Sequence, residues 1–289
     1  MDRSSAGSPQ VFKTIKEFRD WRRSVRGSLG FIATMGALHA GHLSLISRAR
    51  ELNDNLVVSI FVNPLQFGPK EDFGSYPRTF ETDLELCRKL GVDTIFSPGT
   101  EEIYPDGKDH CTKVVPPPFL GEVLEGHFRP GFFTGVATVV SKLFEIIEPN
   151  MTIFGEKDYQ QLLVVKRMVR DLNMPLLVEG GPTIRADDGL ALSSRNAYLT
   201  EEQRKIAPMI HRILSDVIGQ FKSEPNKLTA LVEKGKQQFS KTASIDLQYL
   251  EVRDANTLEE VAAFDRKVVL LTAAKIGSVR LIDNLIATP

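Results

Sequence analysis

The chain has 289 residues, of which 42% are hydrophobic. Because a typical domain has roughly 150 residues, two domains with ordinary hydrophobic cores are predicted. Its 36 basic and 37 acidic side chains leave a net charge of −1, so no field of one sign indicates binding to nucleic acid or to an anionic membrane surface. The expected partners are therefore small molecules.

The N-terminal residues and the cysteines favour a cytoplasmic protein. Residues 1–10 are rich in Ser, Gly and Pro, are predicted to be a flexible extension, and lack the hydrophobic core of a signal peptide. No apolar run approaches the roughly 20 residues needed to span a bilayer. Cys87 and Cys111 lie in no metal-ligand spacing and are interpreted as reduced thiols, because a chain of this size does not need disulfides.

Short apolar runs alternate with segments long enough for helices, which is typical of a parallel α/β sheet. Residues 11–186 are therefore predicted to form a Rossmann-like parallel sheet with helices on both faces. Ligands of such sheets bind beyond the carboxyl ends of the strands, so functional residues are expected directly after strands. The predicted strands are Leu29–Ala33, Leu56–Val62, Thr94–Ser97, Met151–Phe154 and Leu176–Glu179.

The first strand runs into the turn TMGALHAGH, which ends at His42 and is predicted to lead into a helix. Backbone N–H groups and the positive end of the helix dipole attract anions at such a junction, and Gly36 and Gly41 have no Cβ to hold a ligand away. His39 and His42, three residues apart, are expected to reach the same triphosphate. A lone histidine here would be an ordinary polar residue, but the combined pattern favours a nucleotide site. It resembles the HxGH signature of class I aminoacyl-tRNA synthetases and nucleotidylyltransferases.

The second strand is followed by Asn63 and Gln66 in a loop. A glutamine side chain offers a donor and an acceptor, which suits a substrate that carries hydroxyl groups beside a carboxylate. Asn63 is interpreted as a residue that either holds the loop or touches the ligand. Asp83, on the helix predicted next, is interpreted as a solvated charge and is left out of the catalytic set.

Two later strands are followed by cations. Lys157 lies in a turn that begins at Gly155, and Arg195 follows Ser193 and Ser194 in a loop that resembles the KMSKS-type element accompanying HxGH. A lysine, a fixed guanidinium and two hydroxyl groups can neutralise phosphate oxygens and stabilise a leaving pyrophosphate. Isolated stretches of this kind are typical of solvated turns, and their position after strands is what favours a function.

Residues 187–289 are predicted to form a smaller C-terminal α/β domain that covers the site. A helix is predicted to start at Thr200 and a second to run from Leu228 to Phe239, with a loop at 222–227 between them. The predicted strands of this domain are Ile245–Val252, Val268–Thr272 and Val279–Asp283.

Five stretches together resemble the pantoate–β-alanine ligase family, also called pantothenate synthetases: TMGALHAGH, SIFVNPLQFGPKEDFGSYPRT, GVATVVSKLF, FGEKDYQQ and DGLALSSRNAYLT. The resemblance covers nearly the whole chain. It implies an ATP-dependent enzyme that condenses (R)-pantoate with β-alanine through a pantoyl adenylate and releases AMP and pyrophosphate. It also implies Mg²⁺ as a cofactor, a homodimer, and a C-terminal domain that helps to close the site.

The same resemblance implies roles for individual residues. His42 is the expected general acid, and His39, Lys157 and Arg195 are expected to stabilise the phosphate charge. Pantoate is expected to contact Thr34, Met35, Gln66 and Gln161, and β-alanine is expected to lie near Gln66. Mg²⁺ is expected to be held through the ATP phosphates, with no protein ligand implied. The expected ATP-binding residues are Met35, Gly36, Ala37, Leu38, His39, Ala40, Gly41, His42, Gly155, Glu156, Lys157, Asp158, Ile184, Leu192, Ser193, Ser194 and Arg195, with Ile184 near the adenine.

Two positions depart from the family pattern. Ala33 stands where many members have proline, and Phe132 stands where bacterial members usually have a histidine that is associated with the pantoate and phosphate end of the pocket. Plant-like members also have an aromatic residue at the second position. Phe132 is therefore left without a role.

The residue types suit attack of a carboxylate on the α-phosphorus of ATP. A carboxylate is already nucleophilic near neutral pH, so the step needs alignment and charge neutralisation more than a base. The β-alanine amine must lose a proton before the second step, and the sequence indicates no base for it. An acyl adenylate hydrolyses readily, which is a physical reason for a covering domain.

Two other functions remain as alternatives. A nucleotidylyltransferase shares HxGH but acts on a phosphate-bearing substrate and needs a further cationic pocket, whereas the neutral amides of Gln66 and Gln161 favour a small hydroxy acid. A nucleotide-binding sensor without catalysis could retain the fold, but the presence of His42, Lys157 and Arg195 argues against it.

Overall fold

The computed structural model describes residues 7–68, 71, 73–242 and 244–289. Of the N-terminal extension predicted for residues 1–10, residues 1–6 lie outside the described residues. The chain divides into two compact units. The first comprises the residues up to Glu156 together with Val164–Gly181, and the second comprises Lys157–Leu163 together with Pro182–Pro289. The boundary after residue 186 that was inferred from sequence stays a prediction.

The first unit contains a parallel sheet. Its strands are β1 (Gln10–Phe12), β2 (Leu29–Thr34), β3 (Asn55–Ile60), β4 (Thr94–Phe96), β5 (Met151–Gly155) and β6 (Leu177–Gly181). They pair in the order β1-β4-β3-β2-β5-β6, and every pair is parallel. The five strands expected from apolar runs are present, with ends shifted by one or two residues. Strand β1 was not predicted, because three residues give too short a pattern.

Helices cover both faces of this sheet. Neighbouring residues of a strand point to opposite faces, and here Ile32 packs in a cluster with Ile46 and Cys87, whereas Phe31 meets the ring of Phe144. The predicted fold class is thus confirmed for this unit. The helices between β1 and β6 in the chain are α1 (Ile15–Arg22), α2 (Ala40–Leu52), α3 (Phe80–Lys89), α4 (Thr100–Ile103), α5 (Pro118–Gly121), α6 (Glu125–Phe128), α7 (Phe132–Ile147) and α8 (Tyr159–Asp171).

The second unit is a smaller α/β unit, as expected, and its sheet is antiparallel. The helices are α9 (Glu201–Ile206), α10 (Met209–Gly219) and α11 (Leu228–Lys241), and the strands are β7 (Ile245–Asp254), β8 (Val268–Ile276) and β9 (Val279–Ala287), which pair in that order. Thr200 caps α9 in a reciprocal capping box with Gln203, which confirms the predicted helix start. Apolar side chains of α10, α11 and β8 form its core.

Both cysteines are free thiols. Cys87 is fully buried among the apolar side chains beneath α2 and α3, and this burial raises the pKa of its thiol to about 12. Cys111 is half-buried, and its Sγ lies 3.3 Å from the carbonyl oxygen of Lys108. Among the residues that the structure describes, no helix is both long and apolar enough to cross a membrane.

Candidate active site

Three of the segments singled out in the sequence follow adjacent parallel strands. β3, β2 and β5 are neighbours, so their carboxyl ends lie at the same edge of the sheet. The histidine turn follows β2, Gln66 ends a single 3₁₀ turn after β3, and Gly155 ends β5. Lys157 and the loop that carries Arg195 belong to the second unit.

The turn after β2 is arranged as the sequence predicts. Helix α2 begins at Ala40 with His39 as its N-cap, and Gly36 takes a left-handed φ of 81°. The Nδ1 atom of His39 accepts a hydrogen bond from the backbone N–H of Gly41 at 3.2 Å. The Nδ1 atom of His42 accepts one from the backbone N–H of His39 at 3.4 Å. The two rings lie together, with centroids 4.1 Å apart.

These bonds determine where the imidazole protons lie. A backbone N–H can only donate, so each Nδ1 acts as an acceptor and carries no proton. In a neutral ring the proton is then on Nε2. His39 and His42 therefore each carry an Nε2–H donor, a group that can hydrogen-bond a phosphate oxygen.

The backbone of the turn differs from the expectation of free N–H groups. Gly36 donates to the Oγ1 of Thr34, and Ala37 and Leu38 donate to the carboxylate of Asp83. The N–H groups of His39 and Gly41 donate to the two imidazoles. These five amides are therefore already bonded to side chains of the protein, which favours side chains as the donors to phosphate, and the anion site at this turn stays a prediction.

Asp83 is a correction to the sequence analysis, which took it for a solvated charge. Its side chain on α3 is 1% exposed. One carboxylate oxygen accepts from Leu38 N at 2.8 Å, and the other accepts from Ala37 N at 3.0 Å and from the hydroxyl of Thr79 at 3.2 Å. Ala37 has a φ of 50°, a conformation that costs energy in a residue with a Cβ. Asp83 therefore holds the turn in a shape that the turn would not take alone.

We expect the change Asp83→Ala to lower both stability and activity. It leaves the part-buried N–H groups of Ala37 and Leu38 without this acceptor, at a cost of about 1 kcal/mol for each. Urea unfolding measures this loss, and the catalytic rate of the folded variant measures the displacement of the histidines. The control is Glu85→Ala on the same helix, which removes only surface ion pairs with Arg88 and Lys89. Equal effects of the two changes would contradict the role of Asp83.

The polarity of the Gln66 side chain is set by Asn63, which is 1% exposed. The Oδ1 of Asn63 accepts from Leu65 N at 3.3 Å and from the hydroxyl of Tyr104 at 2.8 Å. Its Nδ2 donates to the carbonyl oxygen of Gly135 at 3.2 Å and to the Oε1 of Gln66 at 2.9 Å. Since a backbone N–H only donates and a carbonyl oxygen only accepts, this amide has one possible orientation.

The consequence is that the two ends of the Gln66 amide are identified, with Nε2 as the end that donates. Its Oε1 is used by Asn63, and the remaining Nε2 group carries two N–H donors. Burial raises the pKa of the Tyr104 phenol, so this group stays protonated and keeps donating to Asn63. The sequence offered both functions of the amide. The structure identifies Nε2 as the donor, and its two N–H groups suit the oxygens of a carboxylate or a hydroxyl group.

Phe132 gains a role from its contact with Arg129. The guanidinium carbon lies 3.6 Å from the centre of the Phe132 ring, a close cation–π contact. The same guanidinium donates to the carbonyl oxygen of Gln66 at 2.9 Å and pairs with both carboxylate oxygens of Glu71. The aromatic ring at the position that departs from the bacterial pattern therefore supports the arginine that holds the backbone of Gln66.

Gly135 also determines the position of Gln66. A Cβ at Gly135 on α7 would lie 2.2 Å from the carbonyl oxygen of Leu65 and 3.2 Å from the backbone nitrogen of Gln66. The helix and the 3₁₀ turn can approach this closely only because residue 135 has no side chain.

In the second unit, Lys157 lies in a 3₁₀ turn that leads directly into α8. Its side chain is 18% exposed, and its Nζ lies 3.5 Å from the Oδ1 of Asp158, so the pair is loose. Gln161 follows on the first turn of α8 and is half-buried. The lysine and this glutamine thus lie four residues apart on one short segment.

The second predicted cation, Arg195, lies in a compact loop of the same unit. Leu192 N donates to the carbonyl oxygen of Ile184 at 2.9 Å, which joins the two ends of the loop. Ser193 caps the 3₁₀ turn Ser194–Tyr198, and its hydroxyl accepts from Arg195 N at 3.3 Å. Ile184, Leu192 and Ser194 are half-buried on this loop.

Several polar residues of the site region were missed by sequence reasoning. Asp83 binds Ala37, which is 46 positions away in the chain, and Tyr104 binds Asn63, which is 41 positions away. No local sequence pattern indicates such distant partners. The only available signal for Asp83 was its place among the apolar residues of an amphipathic helix, next to buried Cys87.

Comparisons of the sequence with a family model and with known proteins agree over nearly the whole chain. Residues 10–286 match the model of the family described as pantoate-beta-alanine ligase. The chain is 49% identical over 276 residues to the pantothenate synthetase of Pseudomonas fluorescens strain Pf0-1, covering 94% of this chain and 96% of that one. It is 48% identical over 278 residues to the pantothenate synthetase of Azotobacter vinelandii strain DJ, covering 95% and 98%.

Solved structures agree with this similarity. The pantothenate synthetase of Thermus thermophilus has a TM-score of 0.91 and 43% identity, with 97% of this chain and 100% of that chain covered. The pantoate-beta-alanine ligase of Francisella tularensis has a TM-score of 0.78 and 37% identity, with 96% and 97% covered, and its structure is a complex with beta-gamma ATP and beta-alanine.

Proposed function

The chain belongs to the pantoate–β-alanine ligase family, and from this premise we propose how its site residues divide the work of the reaction. The enzyme condenses (R)-pantoate with β-alanine at the expense of ATP, through a pantoyl adenylate, and releases AMP and pyrophosphate. The observation that carries the division is the placement of the two imidazole Nε2–H donors and the Nε2 donor of Gln66 after neighbouring strands.

In the first step, the pantoate carboxylate attacks the α-phosphorus of ATP. We propose that Gln66 donates from its Nε2 to an oxygen of pantoate, with Gln161, Thr34 and Met35 completing the binding of the acid. Such donation aligns the nucleophile without removing its charge. The fixed polarity of the Gln66 amide supports this assignment, because an acceptor at that place would repel the acid.

We propose that four side chains neutralise the charge of the phosphates. His39 and His42 donate from Nε2 to oxygens of the reacting phosphate, and His42 acts as the general acid. Lys157 and Arg195 neutralise the developing charge and stabilise the leaving pyrophosphate. Their assignment to the same ATP rests on the family resemblance. Backbone amides of the histidine turn are already bonded within the protein, which supports giving this work to side chains.

The other residues expected to contact ATP lie in three segments of the chain. We propose that the nucleotide also contacts Gly36 to Gly41 on the histidine turn and Gly155 to Asp158 after β5. In the loop of Arg195, Leu192, Ser193 and Ser194 are assigned to the phosphates and Ile184 to the adenine. The role of residues 187–289 in closing the site stays a prediction.

In the second step, the amine of β-alanine attacks the acyl carbon of the adenylate and AMP leaves. The amine has an intrinsic pKa near 10, like that of lysine, so it must lose a proton before it attacks. We place β-alanine near Gln66, whose second Nε2–H can donate to the incoming carboxylate. An adenylate held there must be kept from water, since water attacks the same carbon.

Mg²⁺ fits this site as a companion of ATP. Among the described residues, no group of three or more His, Cys, Asp or Glu side chains surrounds a common point. Mg²⁺ commonly keeps several waters and binds through substrate phosphates with few protein ligands. We therefore propose that Mg²⁺ is bound through the ATP phosphates, where it would supply further neutralisation of charge.

Assembly and location complete the proposal. Family resemblance supports a homodimer, which sedimentation of the purified protein tests directly. A cytoplasmic location is proposed because ATP is a substrate.

Exchange of labelled pyrophosphate into ATP tests the function. With pantoate present and β-alanine omitted, exchange is expected, because adenylate formation is reversible. Exchange that needs no pantoate would indicate a different acceptor, as in a nucleotidylyltransferase. ATP binding without any exchange would indicate a nucleotide sensor. Addition of β-alanine to the exchanging enzyme should then release AMP and form the amide.

A further inference from the structure

Strand β9 carries two neighbouring polar residues, Asp283 and Asn284, that are each 5% exposed. Burying polar side chains is costly unless they are hydrogen-bonded. Here both are bonded, and their partners are the two segments of this unit to which the proposed function assigns phosphate binding.

Asp283 binds the guanidinium of Arg185 through both carboxylate oxygens, at 2.7 and 2.8 Å. This is a bidentate pair, in which both groups have a defined geometry. The same guanidinium donates to the carbonyl oxygens of Gly189 at 3.1 Å and of Asn284 at 3.2 Å. The guanidinium of Arg185 therefore makes four hydrogen bonds, three of them to residues of β9.

Hydrogen bonds connect Arg185 to the 3₁₀ turn that contains Arg195. Arg185 and Ala191 form an antiparallel bridge, and the flanking Ile184 and Leu192 share a backbone hydrogen bond. The side chain of Asn196 donates to the carbonyl oxygen of Ala191 at 3.0 Å, which ties the 3₁₀ turn containing Arg195 to the same bridge. Asp283 thus orients the loop that carries the second predicted cation.

The Asn284 end leads to Lys157. The Nδ2 of Asn284 donates to the backbone carbonyl oxygen of Lys157 at 2.9 Å. Tyr159, two residues further on, donates its hydroxyl to the carbonyl oxygen of Ala255 at 2.8 Å. The turn that carries the lysine is therefore attached to this unit by two long-range hydrogen bonds.

We propose that Asp283 and Asn284 are positioning residues that set the separation between the backbones of Lys157 and Arg195. This inference rests on the proposed function, which assigns both cations to the phosphates of ATP. A buried ion pair is weak support for stability alone, because apolar residues of similar volume often serve as well. A pair that joins two cation-bearing segments instead supplies geometry, and a displacement of about 1 Å in such a site can cost about 100-fold in rate.

The decisive change is Asn284→Asp, which replaces the donor to the Lys157 carbonyl oxygen with an acceptor at nearly the same position. The rate constant of adenylate formation is expected to fall about 10- to 100-fold, with a rise in KM for ATP. KM for pantoate should rise less than KM for ATP, because Gln66 is oriented by Asn63 and Arg129 in the other unit and only Gln161 shares the segment of Lys157. A general loss of structure would instead raise both Michaelis constants equally.

Two further variants keep the test decisive where Asn284→Asp does not fold. Asn284→Leu removes the donor without adding a charge, and Arg185→Lys breaks the bidentate pair while it keeps the positive charge. Both should show the same split between the two Michaelis constants. Asn226→Asp, the same chemical change at an exposed turn of this unit, is the matched control and should leave the kinetics unchanged.

The outcomes separate this proposal from the proposed function. If wild-type protein shows no pantoate-dependent pyrophosphate exchange, the proposed function is wrong. If wild-type protein does exchange, folded variants at Asn284 and Arg185 with wild-type kinetics would overturn the positioning role. Equal rises in KM for ATP and for pantoate would overturn it as well, because they would indicate a purely structural role.

Discussion

The change His42→Asn is expected to lower the rate of adenylate formation by about 10²- to 10³-fold, the typical loss when one preorganised donor to developing charge is removed. An asparagine oxygen can replace Nδ1 as the acceptor for the N–H of His39, so the helix cap is retained. The Nε2–H donor has no counterpart in asparagine. Pyrophosphate exchange with pantoate and without β-alanine measures the effect, and the unfolding midpoint should change little.

The matched variant His42→Gln separates the two possible tasks of this ring. A glutamine amide can place a donor near the former Nε2 but cannot give up its proton. If His42 acts only by donating a hydrogen bond, the glutamine variant should keep more activity than the asparagine variant. If His42 is a general acid, both should be equally slow. Near-normal exchange in the asparagine variant would remove His42 from the reaction altogether.

The change Gln66→Glu is expected to raise KM for pantoate more than Gln66→Ala does. The alanine variant loses a hydrogen bond to a charged group, worth about 1.5–3 kcal/mol, or roughly 10- to 100-fold. The glutamate side chain can still accept from Asn63, but it presents a second negative oxygen where Gln66 presents a donor. Two like charges about 4 Å apart repel by about 4 kcal/mol near a protein surface, so a loss of up to about 10³-fold is expected.

Steady-state kinetics with each substrate varied in turn measures this prediction. KM for ATP should remain close to that of the wild type, because the proposal gives Gln66 no contact with the nucleotide. Gln238→Glu, the same change at an exposed position of α11, serves as the control for the added charge. An alanine variant as impaired as the glutamate variant would argue against donation from Gln66 Nε2 to the acid, and unchanged KM for pantoate in both would refute acid binding by Gln66.

The main features of the fold could be predicted because their signals are local. Continuous apolar runs identify β2, β3 and β5, since strands covered on both faces are apolar throughout. The glycine at 36 and the histidines at 39 and 42 lie within one turn, so their shared face follows from helical spacing. Strand β1 has three residues and no such signal.

The polar supports of the site could not be predicted, because their partners are distant in the chain. Asp83 is 46 positions from Ala37, and Asn284 is 127 positions from Lys157. In sequence, an aspartate on an amphipathic helix has the pattern of a surface residue, and an Asp-Asn pair in a strand has the pattern of a turn. Only the fold shows that these carboxylates and amides are buried and which backbone groups they bind.

The unequal environments of the two cysteines have a practical consequence for spectroscopy. Maleimides and other alkylating reagents attack the thiolate, and the raised pKa of Cys87 leaves almost none of it at neutral pH. Cys111 is half-buried and accessible by comparison. A fluorophore or spin label should therefore attach at Cys111 alone, so the native chain accepts one probe at a defined position in its first unit without any engineered mutation.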